Sequence, residues 1–366
     1  MTDFVNQRFA DHRPRIVIVL AILAINLSDG SVLAQTSDEP SWLLSLHMFD
    51  AQTGWAVSAQ GWGGAFSRGA VGSIVRTTDG GLHWKVVADA GEVRAITPLS
   101  AWLPGPGLHT IDGGQTWRRV TISVDGVTHP LRGVVDLTND NDWWVLWGKD
   151  LHRSTNGGET WSKAGSVRDT GTLTVLNTTT AWIVVSRAAG EFYLLVTRDG
   201  GYTWQQPKLS VPSRLTSVYR SVQRLYAFSA SGGGILSVYY ENEETALDRW
   251  GGVFFYVTRN GGRSWVHTTP VTLPIEPYDD FLPSWTFADV DHGWVTDGRA
   301  LYVTSDSGRH WAKIQPRLPE SPLGPLHFIS PKVGWATGNL MMKPFLLKTL
   351  DGGRTWTSVP YVIVRR

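Results

Sequence analysis

The chain has 366 residues, of which 42% are apolar and 18% charged, a composition that supports a large folded core and argues against intrinsic disorder. Its formal net charge is only +1, so it lacks the basic surplus that is typical of nucleic-acid-binding domains. Because cysteine is absent, disulfides, thiolate metal sites and a cysteine nucleophile are all excluded.

The first segment has the features of an export signal. Arg13 and Arg15 precede an apolar run at positions 16–25, and a polar stretch then leads to Val32, Leu33 and Ala34. An apolar run of about ten residues is shorter than the roughly 20 residues that a membrane-spanning helix needs. We therefore predict a signal peptide at residues 1–34, cleaved after Ala34, and a periplasmic or extracellular mature domain at residues 35–366. An uncleaved membrane anchor is the alternative.

An octapeptide recurs seven times in the mature sequence. Its pattern is Ser/Thr-x-Asp/Asn-Gly/Ser-Gly-x-x-Trp, and the second glycine and the tryptophan are present in every copy. Asn156 and Asn260 replace the aspartate in two copies, and Ser307 replaces the first glycine in another. The copies, called octads 1 to 7 below, lie at 77–84, 110–117, 154–161, 197–204, 258–265, 304–311 and 349–356.

A second pattern, usually Gly/Ala-Trp followed by apolar residues, precedes the octads in phase with them, as in Gly54-Trp55-Ala56-Val57. Repeat five has only Leu225-Tyr226-Ala227-Phe228 at the place that we assign to this pattern. Most repeats span 43–46 residues and read as four short strands, the size of one propeller blade. The sequence therefore predicts an all-β, seven-bladed β-propeller of four-stranded antiparallel blades. Either the last segment, 361–364, or the first strand, near 42–48, would close the ring.

Each octad is expected to form the turn between the third and fourth strands of a blade. Glycine allows the positive φ of a tight turn, and the Asp or Asn oxygen accepts hydrogen bonds from the turn's own backbone. The tryptophan then begins the fourth strand and packs between blades. These structural roles are assigned to Asp79, Trp84, Asp112, Trp117, Asn156, Trp161, Asp199, Trp204, Asn260, Trp265, Asp306, Trp311, Asp351 and Trp356.

The octad resembles the Asp-box, or bacterial neuraminidase repeat. Together with the Gly-Trp-Ala-Val pattern, the repeat is most similar to the photosystem II stability and assembly factor family. That resemblance implies an exported or lumenal seven-bladed propeller that assists assembly without known catalysis. Its partner would be a protein, such as a photosystem II reaction-centre subunit or a subunit of an analogous membrane complex. Because similar repeats occur in non-photosynthetic bacteria, the resemblance does not establish photosynthesis.

Partner binding is expected on the face opposite the octad turns, where the longest loops emerge. Repeat five contributes most, with a surplus around 229–252 that we place between its second and third strands. Aromatic and arginine side chains dominate binding hot spots. The candidate partner-binding residues are Trp62, Arg68, Arg132, Arg187, Tyr239, Tyr240, Arg249, Trp250, Tyr278 and Arg299.

The alternative function is hydrolysis of extracellular glycans. A sialidase-like site needs three arginines and a Tyr–Glu pair, for which Tyr239 or Tyr240 with Glu241 is available, but the Arg-Ile-Pro motif of sialidases is missing. The arginines available for such a site are Arg68, Arg132, Arg187, Arg214, Arg249 and Arg299. An endo-glucanase-like site needs paired carboxylates, and the candidates are Asp125, Asp150, Glu241 and Asp280. Neither set forms a recognisable motif, so we predict a non-catalytic scaffold with no cofactor and no metal site.

Overall fold

The structure, a computed structural model, describes residues 41–60, 72–187, 190–216, 218–228, 231–242, 250–274, 283–320, 323–340 and 343–365. The predicted signal peptide at 1–34 lies outside the described residues, as do the candidate residues Trp62, Arg68, Arg249 and Tyr278 and the carboxylate of Asp280. Residues 39–366 belong to one compact unit. Within the described ranges, no helix has the length and apolar character needed to cross a membrane.

Consecutive strands pair antiparallel and form seven blades, and within each blade the strands follow one another in sequence order, from the first strand near the ring axis outward. Blade 1 contains β1 (Ser41–Met48), β2 (Gly54–Gln60), β3 (Ser73–Thr77) and β4 (His83–Asp89). Blade 2 contains β5 (Arg94–Ala95), β6 (Ala101–Leu103), β7 (Leu108–Thr110) and β8 (Arg118–Arg119). The hairpin of β9 (Thr121–Val124) and β10 (Val127–Pro130) follows. Blade 3 contains β11 (Val134–Leu137), β12 (Trp143–Trp147), β13 (Asp150–Ser154) and β14 (Ser162–Ser166).

The remaining blades continue the same order. Blade 4 contains β15 (Thr172–Val175), β16 (Ala181–Ser186) and β17 (Phe192–Thr197), and a 3-10 turn at Ser213–Leu215 follows it. Blade 5 contains β18 (Tyr219–Phe228), β19 (Gly233–Asn242), β20 (Trp250–Thr258) and β21 (Val266–His267), with β22 (Val271–Pro274) also paired to β20. Blade 6 contains β23 (Ser284–Phe287), β24 (Gly293–Thr296), β25 (Leu301–Thr304) and β26 (Ala312–Ile314). Blade 7 contains β27 (Leu326–Phe328), β28 (Gly334–Leu340), β29 (Lys343–Thr349) and β30 (Thr357–Ser358), and β31 (Val362–Val364) ends the chain. The predicted seven-bladed all-β propeller is therefore confirmed.

The apolar core lies between the blades. Seven clusters of buried side chains each combine residues from two successive blades, and the last cluster joins blade 7 to blade 1. The second-strand tryptophans are central to these clusters, because Trp55, Trp182 and Trp335 have no solvent-exposed area. Burial of alternate strand residues against both neighbouring blades is what stabilises the ring.

Both ends of the described chain meet in blade 1, which resolves the question of ring closure. The N-terminal β1 is the first strand of this blade, and the C-terminal β31 pairs in parallel with its outermost strand, β4, with Val362 opposite His83. The Tyr361 hydroxyl also donates a hydrogen bond to the Ser41 carbonyl oxygen (2.6 Å). The chain is thus closed by a fifth strand on blade 1.

The predicted strand order of repeat five is wrong by one strand. Residues 225–228 belong to the first strand, β18, and the second strand is β19. Gly234 of β19 lies opposite Thr258, just as Gly54 of blade 1 lies opposite Thr77, so Ile235 occupies the place of the usual tryptophan. Most of the surplus placed in a loop around 229–252 therefore extends the strands of blade 5.

Blade 4 departs from the four-strand pattern in its outermost strand. Only one bridge, between Val196 and Gln205, replaces a regular fourth strand. The ladder stops there because Pro207, two residues after Gln205, has no backbone N–H to donate.

Candidate functional site

The octads form one repeated hydrogen-bonded turn between strands three and four. In octad 1, the Thr77 hydroxyl donates to Asp79 Oδ1 (2.9 Å) and accepts from the Gly81 N–H (3.1 Å), while Asp79 Oδ1 accepts from the His83 N–H (3.0 Å). The same three contacts recur in the other six octads. The octad side chains are therefore occupied in holding the turn.

The two asparagine octads reverse one hydrogen bond. In octad 4 the Thr203 hydroxyl donates to Asp199 Oδ2 (2.5 Å), as expected for a carboxylate acceptor. In octads 3 and 5 the Asn156 and Asn260 amides instead donate to the hydroxyls of Thr160 and Ser264 (both 2.9 Å). Aspartate and asparagine both accept the hydrogen bond from the backbone N–H four residues further along the chain, because that bond needs only an acceptor oxygen.

The octad tryptophans lie between neighbouring blades. Trp117 of blade 2 meets Trp55 of blade 1 edge to face, and Trp265 of blade 5 meets Trp182 of blade 4 in the same way. Ring centroids in these pairs are 6.4 and 5.4 Å apart. Such contacts add to area burial and fix the angle between blades.

A pair of substitutions at Asp199 is expected to separate hydrogen bonding from charge. Burial alone would raise the pKa of Asp199, but hydrogen bonds from Thr203 and Thr197 outweigh it and lower the pKa to about 2. Asp199→Asn keeps the acceptor oxygen, as octads 3 and 5 do, and should change the free energy of unfolding little. Asp199→Ala should lower it by about 1–2 kcal/mol. Urea unfolding of both variants measures this, and an equal loss in both would contradict it.

The face opposite the octad turns carries a compact arginine–tyrosine cluster. It is formed by Arg168 and Asp169, from the connection between blades 3 and 4, Arg187, from the loop after β16, and Tyr193, near the start of β17. The guanidinium carbons of Arg168 and Arg187 lie 4.9 and 5.1 Å from the centroid of the Tyr193 ring. Stacking of a guanidinium on an aromatic ring holds both groups in place while leaving the arginine edges able to bind acceptors.

Asp169 is the carboxylate of this cluster. The Tyr193 hydroxyl donates a hydrogen bond to Asp169 Oδ2, and the same oxygen lies 3.6 Å from both Arg168 Nε and Arg187 Nη2. The Tyr193 hydrogen bond lowers the pKa of Asp169 below its ordinary value, and Arg187, Lys149 and Arg168 contribute in the same direction. One carboxylate thus faces two arginines, so the cluster keeps a positive surplus at neutral pH.

Blade 5 extends this surface. A Cβ added to Gly190 would lie 2.3 Å from the Arg220 carbonyl oxygen and 3.2 Å from Tyr219 Cδ2, so the loop after β16 touches the start of β18. Tyr219 is 52% exposed beside it. We call Arg168, Asp169, Arg187, Tyr193 and Tyr219 the blade 4–5 surface.

The predicted partner-binding residues do not all lie in one part of the surface. Arg187 belongs to the blade 4–5 surface, whereas Arg132 and Arg299 are exposed on the same face but in the connection to blade 3 and in a loop of blade 6. Trp250 is half-buried at the start of β20, with its ring centroid 5.8 Å from that of Tyr240.

Tyr240 is wrong as a contact residue. It is only 1% exposed, and its hydroxyl donates to the Val271 carbonyl oxygen (3.2 Å) inside the cluster between blades 4 and 5. The error follows from the strand order, because alternate residues of β19 point to opposite sides and Tyr240 points inward. Sequence reasoning missed Arg168, Tyr193 and Tyr219. Arg168 and Tyr193 could have been found as Arg187 was, because all three lie near the end of a strand.

Tyr239, Glu241 and Asp150, which were named for the catalytic alternatives, each make a side-chain contact. The Tyr239 hydroxyl lies 3.4 Å from Glu241 Oε2, because residues two apart share one side of a strand. Asp150 pairs with Lys163 Nζ (2.8 Å) and accepts from the Ser166 hydroxyl (2.6 Å). Among the described residues, no group of three His, Asp or Glu side chains is arranged to hold a metal ion.

Two histidines meet on the first strands of blades 1 and 7, the strands nearest the ring axis. The ring centroids of His47 and His327 are 5.0 Å apart, and His327 Nε2 lies 2.9 Å from the Met48 carbonyl oxygen. Burial and nearby positive charge from Arg224 lower the pKa of His327 to about 4. Burial, His327 and Arg224 lower the pKa of His47 to about 3. Both rings are therefore neutral at physiological pH.

No protein-family model matches the chain. No curated protein matches it either.

Several solved propellers are similar in structure. One, described as YCF48 bound to D1 peptide, is 17% identical over 89% of this chain and 84% of its own, with a TM-score of 0.44. YCF48 from Cyanidioschyzon merolae is 17% identical over 86% and 94%, with a TM-score of 0.45. The GH74 xyloglucanase from Xanthomonas campestris is 11% identical over 86% and 60%, with a TM-score of 0.47. The strand pairing of the chain itself shows its blade count and topology.

Proposed function

We propose that this protein is an exported, non-catalytic scaffold or assembly factor that binds a protein partner through the face opposite the octad turns. The observation that carries the proposal is the contact of the Arg168 and Arg187 guanidinium groups with the ring of Tyr193 on the blade 4–5 surface. Tyrosine and arginine are the residue types that supply most binding energy in protein interfaces.

The geometry of the cluster favours a partner with acidic groups. Asp169 compensates only part of the charge of Arg168 and Arg187, and both guanidinium groups are exposed. A partner carboxylate can accept the N–H groups that face solvent, in a charge-assisted and often bidentate contact. The rigid blades beneath reduce the ordering cost of binding.

The sequence resemblance implies a more specific form of this function. The partner would then be a subunit of a membrane complex on the exported side, and the role would resemble photosystem II assembly or repair. The similar structure described as YCF48 bound to D1 peptide contains a peptide bound to that protein. We propose a role of this kind for the present protein.

A double substitution tests the proposal in the native host. We expect crosslinking in cells, followed by purification of the tagged protein, to recover a protein partner with the wild type. Arg168→Gln together with Arg187→Gln should reduce that recovery about tenfold or more, since two charge-assisted contacts are lost. Arg354→Gln, which removes an exposed arginine from octad 7, is the matched control and should leave recovery unchanged. Equal recovery from the double variant and the control, or no protein partner at all, would refute the proposal.

A glycoside hydrolase is the second candidate, and the contact between Tyr239 and Glu241 favours it. A tyrosine beside a glutamate is the nucleophile pair of a sialidase-like site. Of the arginines named for such a site, Arg132, Arg187 and Arg299 lie in segments of different blades. Turnover of a sialoside or glucan by the purified protein, abolished by Tyr239→Phe, would decide for this candidate.

A further inference from the structure

Two departures from the octad pattern meet at one cavity. Asn260 replaces aspartate in octad 5, Ser307 replaces glycine in octad 6, and both line a cavity of about 230 Å³ between blades 5 and 6. Arg259, Arg309 and His267 line the same cavity. It lies at the outer edge of the octad face, away from the blade 4–5 surface.

Ser307 is held in a backbone conformation that favours glycine. Its φ is 64°, and the glycines at the same place in the other six octads have φ between 68° and 84°. A residue with a side chain is strained in this conformation, whereas glycine is not, so the contacts that the Ser307 side chain makes offset a cost that glycine would avoid.

The Ser307 hydroxyl fixes an arginine at the cavity wall. It accepts a hydrogen bond from Arg259 Nη2 (2.6 Å) and lies 3.0 Å from Asp291 Oδ1, to which it donates. Arg259 Nη2 also donates to Asp291 Oδ1. Glycine could make none of the hydroxyl contacts, so the strained residue positions the guanidinium group.

Asn260 changes both the charge and the hydrogen bonding of the cavity. It removes the carboxylate that five of the seven octads carry at this position. It also donates its amide N–H to Ser264 Oγ (2.9 Å), whereas the carboxylates of octads 4 and 7 accept from the equivalent hydroxyls. The Ser264 O–H proton therefore remains available to a molecule in the cavity, which Ser264 also lines.

The cavity is positively charged in the part of the chain that the structure describes. Its described lining includes two arginines but no aspartate or glutamate. Asp291 compensates Arg259, while Arg309 makes no ion pair with another described residue. A cavity with fixed hydrogen-bond donors and an uncompensated guanidinium group favours an anion.

We propose that this cavity is a binding site for an oxyanion, namely a phosphate or sulfate group, either free or carried on a sugar. Arg309 and Arg259 supply charge-assisted hydrogen bonds, and the Ser264 hydroxyl donates a further one. Ser307 is a positioning residue that acts through Arg259. This site is independent of the partner surface on the opposite face.

Titration calorimetry of the purified protein at neutral pH, in a buffer without phosphate or sulfate, tests the proposal. The probes are inorganic phosphate, inorganic sulfate and glucose 6-phosphate. Arg309→Gln should weaken binding of the preferred probe about tenfold or more. Arg354→Gln removes the equivalent arginine of octad 7, which lies outside the cavity, and should leave the affinity unchanged.

Ser307→Gly separates a binding role from a purely structural one. Because glycine adopts the positive φ without strain, this variant should melt at a higher temperature than the wild type, yet bind the anion several-fold more weakly. Tighter binding of glucose 6-phosphate than of the inorganic ions would identify a sugar-borne group, and the reverse order would identify the free ion. The proposal is overturned if no probe binds saturably, if Arg354→Gln weakens binding as much as Arg309→Gln, or if Ser307→Gly leaves the affinity unchanged.

Discussion

Replacing Trp294 with alanine is expected to lower the free energy of unfolding by about 3–5 kcal/mol, the range found for deletion of large buried aromatic side chains. Trp294 is 1% exposed in the cluster that joins blades 6 and 7. Its ring stacks on Phe328 with centroids 3.8 Å apart and planes 4° apart, and its Nε1–H donates to the Gly352 carbonyl oxygen (3.1 Å). The substitution removes a contact across two blades and leaves that carbonyl without its donor.

Urea unfolding followed by tryptophan fluorescence and by circular dichroism measures this loss. Tyr202→Ala is the control, because Tyr202 is an aromatic residue that is 70% exposed on octad 4, and its removal should change stability by less than about 0.5 kcal/mol. If Trp294→Ala costs no more than Tyr202→Ala, the interface between blades does not carry the stability assigned to it.

Acid is expected to destabilise the protein between about pH 6.5 and pH 4. The folded state lowers the pKa of His47 to about 3 and that of His327 to about 4, mainly through burial. In the unfolded chain both imidazoles take up protons near pH 6.5. The unfolded state therefore binds more protons throughout this window, and the free energy of unfolding falls as the pH falls. Allowing for partial solvent screening, we expect a loss of roughly 3–5 kcal/mol from the two groups together.

Urea unfolding at pH 7.5 and at pH 4.5 shows whether the histidines cause this loss. His47→Gln removes one titrating group and should reduce the difference between the two pH values by about half. An unchanged difference in His47→Gln would rule out His47 as a source of the acid sensitivity.

The sequence predicted the architecture because two patterns recur in phase along it. Every octad has its glycine and tryptophan, and each marks the turn that follows the third strand of a blade. The predicted strand order of repeat five was wrong because Ile235 occupies the position at which a tryptophan marks the second strand of the other blades. Without that marker, the residues at 225–228 provided a plausible but incorrect match.

The candidate sites were less predictable because they depend on which neighbouring segments touch. Loop position was enough to single out Arg187, but the contact of its guanidinium group with Tyr193 requires the register of β16 and β17. The cavity of Asn260 and Ser307 was missed for a related reason. The two residues lie 47 positions apart in different octads, and only the packing of blades 5 and 6 brings them to one place.

The parallel pairing of β31 with β4 has a consequence for biosynthesis. Blade 1 cannot complete its five strands until residues 361–364 have left the ribosome, because β31 is synthesised after the four other strands of that blade. A nascent chain that lacks them leaves the outer edge of blade 1 unpaired. Termination of synthesis before residue 361 would therefore yield a product with an unpaired strand edge on blade 1, a target for proteases and for self-association.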